Sequence, residues 1–183
     1  MSDKPKLYDY QEEGVRMELA MKRCINGDDM GTGKTVQSIV AIERAKATPC
    51  LVVCPAALKV NWEREIKKFT NLRPLILTDS VNATYGYHLT KMNLYDVVIC
   101  NYESLAKYFV VNLGPKPLRL NNFLFRDELK IIKSVIIDES ARVKDPSTRQ
   151  SKIIMGLCQG KEYIYELTGT PCLLYTSPSP RDR

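Results

Sequence analysis

A glycine-rich stretch and an acidic pair are the two parts of this sequence whose residue types and spacing could do chemistry. The first part runs from Gly27 to Thr35 and reads GDDMGTGKT. It ends like a phosphate-binding loop, G-x-x-x-x-G-K-[ST], but that pattern requires a glycine where the chain has Asp28. Because the first glycine is dispensable where the loop entrance is wider, Asp28 does not exclude a phosphate site.

The residue types after Asp28 suit the binding of a nucleotide phosphate and its metal ion. Gly31 and Gly33 let successive backbone N–H groups face one anion at the positive end of a following helix dipole, with Thr32 between them in the same loop. Lys34 would contact the outer phosphates, and the Thr35 hydroxyl would ligate Mg²⁺. Taken alone, the motif also fits a chance Gly-x-Gly-Lys-Thr in a loop that has no ligand.

The acidic pair follows an apolar run. Residues 134–137 read SVII and deliver Asp138 and Glu139 to the carboxyl end of a predicted strand, where ligands bind in open α/β sheets. Asp138 could hold Mg²⁺ through water, and Glu139 could polarise an attacking water molecule. The alternative is a strand that ends in a solvated acidic turn, and the upstream phosphate loop makes that alternative less attractive.

A set of short apolar runs predicts the strands that would position these groups. The runs are Cys50–Cys54, Leu75–Leu77, Val97–Cys100, Val135–Ile137 and, as a fifth candidate, Tyr163–Leu167. They are continuous rather than alternating, which is typical of a parallel sheet covered on both faces. In addition, residues 23–26 can end a short strand just before the glycine-rich loop.

Helical patterns separate the runs. The predicted helices cover residues 34–47, the segment that carries Trp62, Ile66 and Phe69 at i, i+4, i+7 spacing, and residues 147–157. The third helix is expected to be capped near Asp145, with Pro146 in its first turn. Alternating strands and helices predict an α/β domain with right-handed crossovers. Residues 112–122, with their Gly-Pro-Lys-Pro sequence, predict a surface insertion.

The composition of the chain bears on whether its partner is a nucleic acid, a membrane or a metal ion. The formal charge is +6, from 27 Lys and Arg against 21 Asp and Glu, which permits an anionic partner such as nucleic acid without demanding one. No apolar run approaches the roughly 20 residues that span a bilayer, so no membrane partner is expected. The six cysteines form no C-x-x-C pair and His88 is the only histidine, which argues against zinc. We expect a cytoplasmic protein, or a nuclear one in a eukaryote.

Seven stretches resemble, in order, six motifs of the SNF2-type ATPases of helicase superfamily 2. They are Tyr8–Val15 (Q-motif), Asp28–Ile39 (motif I), Val52–Pro55 with Asn61–Glu65 (motif Ia), Val98–Glu103 (motif Ib), Asp138–Lys144 (motif II) and Leu167–Pro171 (motif III). In that family two acids before the methionine of motif I are normal, so Asp28 becomes a family mark. The resemblance covers residues 7 to 171, nearly the whole chain.

The resemblance implies further roles. Gln11 would read the adenine edge of ATP, and the full protein would hydrolyse ATP with Mg²⁺ to translocate on duplex DNA without sequence preference. Pro55 and Lys59 near motif Ia, and Asn101 and Tyr102 at motif Ib, would line the face that tracks the DNA phosphate backbone. Trp62 is expected to pack in the core rather than to stack on a base.

The resemblance also implies what surrounds the lobe. Residues 1–171 would form an N-terminal RecA-like lobe of α/β fold, a P-loop domain with a mainly parallel sheet flanked by helices. Residues 172–183, with Ser-Pro-Ser-Pro, fit neither helix nor strand and resemble a translated adapter tail. We therefore expect the native protein to continue past Pro171 into a second RecA-like lobe that supplies arginine fingers.

Some departures and alternatives stay open. Ala141 stands where related helicases carry histidine, which puts the contact between the metal site and motif III in doubt. The isolated fragment could be a module that binds ATP or DNA but turns over little or nothing. Another superfamily 2 helicase shares most of these motifs, whereas a small-molecule P-loop kinase would lack the Q-motif and motif III.

Overall fold

The computed structural model describes residues 4–27, 31–90, 92–143 and 145–169. Several residues of the predicted motifs lie outside the described part of the chain. They are Asp28, Asp29 and Met30 of motif I, Lys144 of motif II, Thr170 and Pro171 of motif III, and the tail 172–183.

A six-stranded sheet forms the centre of the molecule. Its strands are β1 (Arg23–Asn26), β2 (Cys50–Cys54), β3 (Pro74–Ile76), β4 (Val97–Asn101), β7 (Ser134–Asp138) and β8 (Tyr163–Leu167). They lie in the order β1-β8-β7-β2-β4-β3, and every neighbouring pair is parallel. The predicted α/β class with a parallel sheet is therefore confirmed.

The central strands are apolar throughout because both faces of the sheet are covered. Successive side chains of a strand point to opposite faces, so Leu51 and Val53 pack into one hydrophobic cluster while Val52 packs into the other. All three side chains are fully buried. A strand with one solvated face would instead alternate apolar and polar residues, which is why the continuous runs predicted this sheet correctly.

Helices cover the two faces in two groups. On the face that Val52 enters lie α1 (Asp9–Met21), α2 (Lys34–Ala45) and α3 (Lys59–Phe69). On the opposite face lie α4 (Tyr85–Thr90), α5 (Leu105–Phe109) and α6 (Arg149–Cys158). Within the described residues, no helix combines the length and apolar character needed to cross a bilayer.

Residues 112–122, which were predicted to be a surface insertion, are bounded by two short paired strands. A short antiparallel pair, β5 (Val110–Asn112) and β6 (Leu124–Phe125), brackets them, with a shift of register between Val110 and Asn112. Helix α1 was also not predicted. Its apolar positions are few because Gln11 and Glu18 occupy part of its buried face, so the periodicity of apolar residues is weak there.

The start of α6 differs from the prediction of a cap near Asp145 with Pro146 in the first turn. Thr148 is the N-cap, and its hydroxyl accepts a hydrogen bond from the Ser151 N–H at 3.1 Å. The Asp145 carboxylate instead accepts from the Ser147 N–H at 2.8 Å, which closes a turn before the helix. Asp145 and Thr148 can both cap a helix. Because Asp145 forms the preceding turn, Thr148 is the residue that caps α6.

Glu166 is a carboxylate buried inside β8. Only 2% of the residue is exposed, and among the described residues its Oε2 has no hydrogen-bond partner. Burial raises the pKa of this carboxyl from 4.5 to about 7. The folded state therefore keeps the proton over a pH range in which the unfolded state has already lost it.

This pKa predicts how stability depends on pH. Between pH 4.5 and about 7 the unfolded state binds fewer protons than the folded state, so the free energy of unfolding falls as pH rises. The total loss corresponds to roughly 3 kcal/mol. Glu166→Gln should flatten this part of the profile, as measured by melting temperature from pH 4 to 8. Glu13→Gln, at an exposed position on α1, is the control and should keep the wild-type slope.

Candidate functional site

Three neighbouring strands bring the two predicted motifs to one edge of the sheet. Asn26 at the end of β1 pairs with Leu167 of β8, and Leu167 pairs with Asp138 at the end of β7. Two strand spacings therefore separate Asn26 from Asp138, which is about 10 Å. Since the glycine-rich loop follows Asn26 directly, the loop and the acidic pair share the carboxyl edge of the sheet.

The loop enters α2 through a glycine that no other residue could replace without strain. Gly33 is the N-cap of α2 with φ of 82°, in the left-handed region. A Cβ at this position would also lie 2.3 Å from Gln11 Nε2. Lys34 and Thr35 are the first two residues of the helix and are half-buried. Their backbone N–H groups lie at the positive end of the helix dipole.

Gln11 lies against this loop. Its Oε1 accepts a hydrogen bond from the Tyr8 N–H at 3.1 Å, and its Nε2 donates to the Thr32 carbonyl at 3.4 Å. The residue is 7% exposed. The structure thus brings the Q-motif to the phosphate loop, and it shows Gln11 joining the start of α1 to that loop. Its contact with an adenine ring stays a prediction.

A partly buried network of hydrogen bonds, which was not predicted from the sequence, supports the loop. Glu18 Oε1 accepts from the Ser38 hydroxyl at 2.8 Å and from Asn26 Nδ2 at 3.0 Å. Asn26 Nδ2 also donates to Gln37 Oε1 at 3.0 Å, and Gln37 Nε2 donates to the Thr32 carbonyl at 3.4 Å. Buried hydrogen bonds of this kind hold a backbone segment in one arrangement.

A spacing in α1 could have revealed this network. Gln11, Val15 and Glu18 have i, i+4, i+7 spacing, which places two polar side chains on the same helix face as a buried valine. Gly14 lies on the adjoining turn, where a Cβ would come within 2.3 Å of Gln37 Oε1. Glycine at this position lets α1 and α2 approach closely enough for the network to form.

Asp138 is held by two aromatic residues. The Trp62 indole Nε1–H donates to its Oδ2 at 2.8 Å, and the Tyr102 hydroxyl donates to its main-chain carbonyl at 2.5 Å. Burial raises the pKa of Asp138, and the neighbouring charge of Glu139 adds to the rise. The Trp62 hydrogen bond and the Lys34 ammonium act against it.

The prediction that Trp62 packs in the core is confirmed. The residue is 1% exposed and belongs to the cluster between α2, α3 and the sheet. Its hydrogen bond to Asp138 was not predicted, because the apolar helix face accounted for the ring without involving its N–H group. A buried indole N–H usually finds a partner, and that rule was the available signal.

Glu139 has an uncommon backbone conformation. Its φ is 56°, in the left-handed region that a non-glycine residue adopts at a cost of about 1–3 kcal/mol. The Glu139 carbonyl accepts from the Arg142 N–H at 3.0 Å, which closes the turn after β7. The turn directs Glu139 away from the straight path of the strand, and the side chain is half-buried.

Motif III lies between the other two motifs. The Thr168 N–H donates to the Asn26 carbonyl at 3.1 Å, and the residue is 1% exposed. Because β8 separates β1 from β7, this strand contacts both the root of the phosphate loop and the strand that carries Asp138. The effect of Ala141 on the contact between the metal site and motif III stays a prediction.

The four residues predicted to contact nucleic acid lie close together at the ends of β2 and β4. Lys59 Nζ donates to Asn101 Oδ1 at 3.5 Å, and Asn101 Nδ2 donates to Glu103 Oε2 at 2.8 Å. Lys59 is half-buried, whereas Pro55, Asn101 and Tyr102 are buried. Their contact with nucleic acid stays a prediction, in which Lys59 has the most accessible side chain of the four.

The donor set at this edge fits a nucleoside triphosphate with a divalent ion. A left-handed glycine begins α2 at the positive end of the helix dipole, and the next residue is a lysine. Opposite lies a carboxylate whose other contacts fix its orientation, and carboxylate and hydroxyl oxygens are the ligands that Mg²⁺ prefers.

Comparison with known proteins agrees with this geometry. The family model described as SNF2-related domain matches residues 10–173. The DNA annealing helicase and endonuclease ZRANB3 of Bos taurus is 31% identical over 170 residues, covering 92% of this chain and 15% of the relative. The human chromodomain-helicase-DNA-binding protein 7 is 33% identical over 181 residues, covering 91% of this chain and 6% of the relative.

A solved structure has the same architecture. The Sulfolobus solfataricus SWI2/SNF2 ATPase core in complex with dsDNA matches with a TM-score of 0.69 and 29% identity, over 92% of this chain and 33% of that one. The match confirms the expected RecA-like fold. This chain thus spans a third of that solved chain and between 6% and 15% of the two relatives.

Proposed function

Since this chain belongs to the family of SNF2-related domains, we propose that it is the ATP-binding lobe of a DNA-dependent ATPase that translocates on duplex DNA. The convergence of the glycine-rich loop and the Asp138–Glu139 pair on one edge of the sheet carries the proposal. A triphosphate needs a cationic cradle on one side and metal-ligating oxygens on the other, and this edge supplies both.

The loop binds the nucleotide. Backbone N–H groups from Gly31 to Thr35, with Thr32 among them, cradle the phosphates, and Lys34 neutralises their outer charge. The polar network beneath Thr32 keeps the cradle in shape before the ligand arrives, so little ordering entropy is lost on binding. Gln11, which lies against the loop, contacts the adenine edge.

The acidic pair and Thr35 serve the metal ion and the water. Thr35 and Asp138 would hold Mg²⁺, which would supply neutralisation of the charge that develops on the phosphates. Glu139 accepts a proton from the attacking water, and the left-handed turn places its carboxylate for that task. Glu139 and Lys34 are therefore the catalytic residues of this lobe.

The DNA contacts lie at the same edge, beyond Asp138. Pro55 and Lys59 follow β2, the immediate neighbour of β7, whereas Asn101 ends β4 and Tyr102 follows it, two strands from β7. Lysine, asparagine and backbone amides donate to phosphate oxygens without reading bases, so binding is independent of sequence and weakens with salt.

The working motor needs a second RecA-like lobe. Residues 1–171 form the first lobe in this proposal, and the second lobe supplies the arginine that stabilises the transition state, worth about 10³ to 10⁵ in rate. The motor acts where DNA is kept, in the nucleus of a eukaryotic host and in the cytoplasm otherwise.

The rate of ATP hydrolysis with and without duplex DNA tests the proposal. The 183-residue chain should bind Mg·ATP but hydrolyse it at a rate close to background, because in this proposal the arginine that stabilises the transition state belongs to the second lobe. The protein expressed from the complete reading frame should hydrolyse ATP, and saturating duplex DNA should raise its rate about tenfold or more. Phosphate release is measured in both, with Lys34→Ala as the background.

Other outcomes identify the alternatives. Hydrolysis by the complete protein that ignores DNA would favour a kinase-like enzyme and refute the translocase. Binding of ATP and DNA without turnover in the complete protein would leave a binding module. Stimulation by RNA in place of duplex DNA would assign the chain to another branch of the helicases.

A further inference from the structure

Two buried side chains join the predicted DNA face to the metal-binding carboxylate. Trp62 belongs to α3, the helix that begins at Lys59, and its Nε1–H donates to Asp138 Oδ2 at 2.8 Å. Tyr102 follows Asn101 directly, and its hydroxyl donates to the Asp138 carbonyl at 2.5 Å. Each segment predicted to contact DNA therefore sends one aromatic residue to Asp138.

The two segments also contact each other. Lys59 Nζ donates to Asn101 Oδ1 at 3.5 Å, so a phosphate that binds Lys59 competes for a group that now holds Asn101. Trp62 is 1% and Tyr102 2% exposed, so both side chains are closely packed. A shift of either segment would therefore move the side chain that contacts Asp138. Close-packed interiors transmit small displacements instead of absorbing them.

We infer that Trp62 and Tyr102 are positioning residues that orient Asp138 for Mg·ATP and couple DNA contact to nucleotide binding. The inference rests on the proposed function and adds its regulation. The indole N–H occupies one lone pair of Oδ2 and so fixes the rotation of the carboxylate. The phenol fixes the main chain at the end of β7, immediately before the turn that aims Glu139. Neither residue touches the reacting atoms.

The first test measures the metal dependence of nucleotide binding by the 183-residue chain. Tyr102→Phe and Trp62→Phe each remove one hydrogen-bond donor to Asp138 and keep an aromatic ring, and Trp62→Phe also reduces the volume of the side chain. Groups that orient metal ligands typically change metal affinity about 10- to 100-fold. Each variant should therefore raise the Mg²⁺ concentration for half-maximal ATP binding by about tenfold, while ATP affinity in EDTA stays that of the wild type. Calorimetry over a Mg²⁺ series gives both values.

A control separates positioning from stability. Tyr85 is a fully buried tyrosine whose hydroxyl donates to the Tyr108 carbonyl at 3.3 Å, on the other face of the sheet. Tyr85→Phe should lower the melting temperature about as much as Tyr102→Phe and leave the Mg²⁺ midpoint unchanged. If the Tyr102 and Trp62 variants share that unchanged midpoint, the positioning role is refuted.

The second test measures the coupling. In the wild type, saturating duplex DNA should change the Mg·ATP dissociation constant several-fold, and ATP should change DNA affinity by the same factor. In Tyr102→Phe and in Trp62→Phe this factor should approach one, whereas Tyr85→Phe should keep the wild-type factor. A wild-type chain that binds no Mg·ATP would refute the proposed function. Normal binding with a coupling factor that neither variant changes would refute the coupling alone.

Discussion

Lys34→Ala is expected to abolish binding of Mg·ATP. In the proposed site the lysine is the cationic partner of the outer phosphates, and without it the backbone amides of the loop would face several negative charges alone. Hydrogen bonds to charged groups contribute about 1.5–3 kcal/mol each. Loss of two such bonds corresponds to at least about 100-fold in affinity. Calorimetry at saturating Mg²⁺ should therefore detect no binding at ATP concentrations that saturate the wild type.

The matched control lies at the other end of the same helix. Lys46 is the exposed C-cap residue of α2, so Lys46→Ala removes the same charge from the protein without touching the loop. It should bind Mg·ATP like the wild type. The melting temperature of Lys34→Ala should stay within a few degrees of the wild type, because the lysine is half-buried at the start of the helix. Retained binding in Lys34→Ala would refute the assignment of the phosphate loop.

The strands that carry the site could be predicted because their side chains are buried on both faces of the sheet. The apolar runs at 50–54, 97–100, 135–137 and 163–167 all became strands of the sheet within one residue of the predicted bounds. A strand buried on both faces has apolar residues at nearly every position, and a short continuous apolar run is therefore typical of such a strand. The run at 75–77 moved by one residue, to Pro74–Ile76, at the edge of the sheet.

The contacts that organise the site could not be predicted, because they join residues that are distant in the chain. Trp62 and Asp138 are 76 positions apart, and nothing near either residue specifies the other. Glu18 and Ser38 meet only because α1 and α2 pack side by side. The left-handed turn at Glu139 was equally hidden, since non-glycine residues in that conformation are held by their surroundings rather than by their own preference.

Glu139→Gln in the complete protein is expected to separate binding from turnover. Glutamine has the shape of glutamate, so the turn at φ of 56° and the contacts of Asp138 should persist, and Mg·ATP should bind with wild-type affinity. The amide cannot accept the proton of the attacking water. General-base catalysis contributes about 10² to 10⁴ in rate, so the DNA-stimulated rate of phosphate release should fall by that factor.

The control for Glu139→Gln is measured by the same two quantities, the affinity for Mg·ATP and the rate of phosphate release. Glu162→Gln changes an exposed carboxylate that precedes β8, at the opposite edge of the sheet, and should alter neither ATP affinity nor turnover. An active Glu139→Gln protein would show that the proton goes elsewhere. Loss of ATP binding in Glu139→Gln would instead mean that Glu139 holds the metal ion together with Asp138. Because affinity and turnover are measured separately, the two roles of Glu139 can be distinguished. A general base predicts normal affinity with lost turnover, and a metal ligand predicts loss of both.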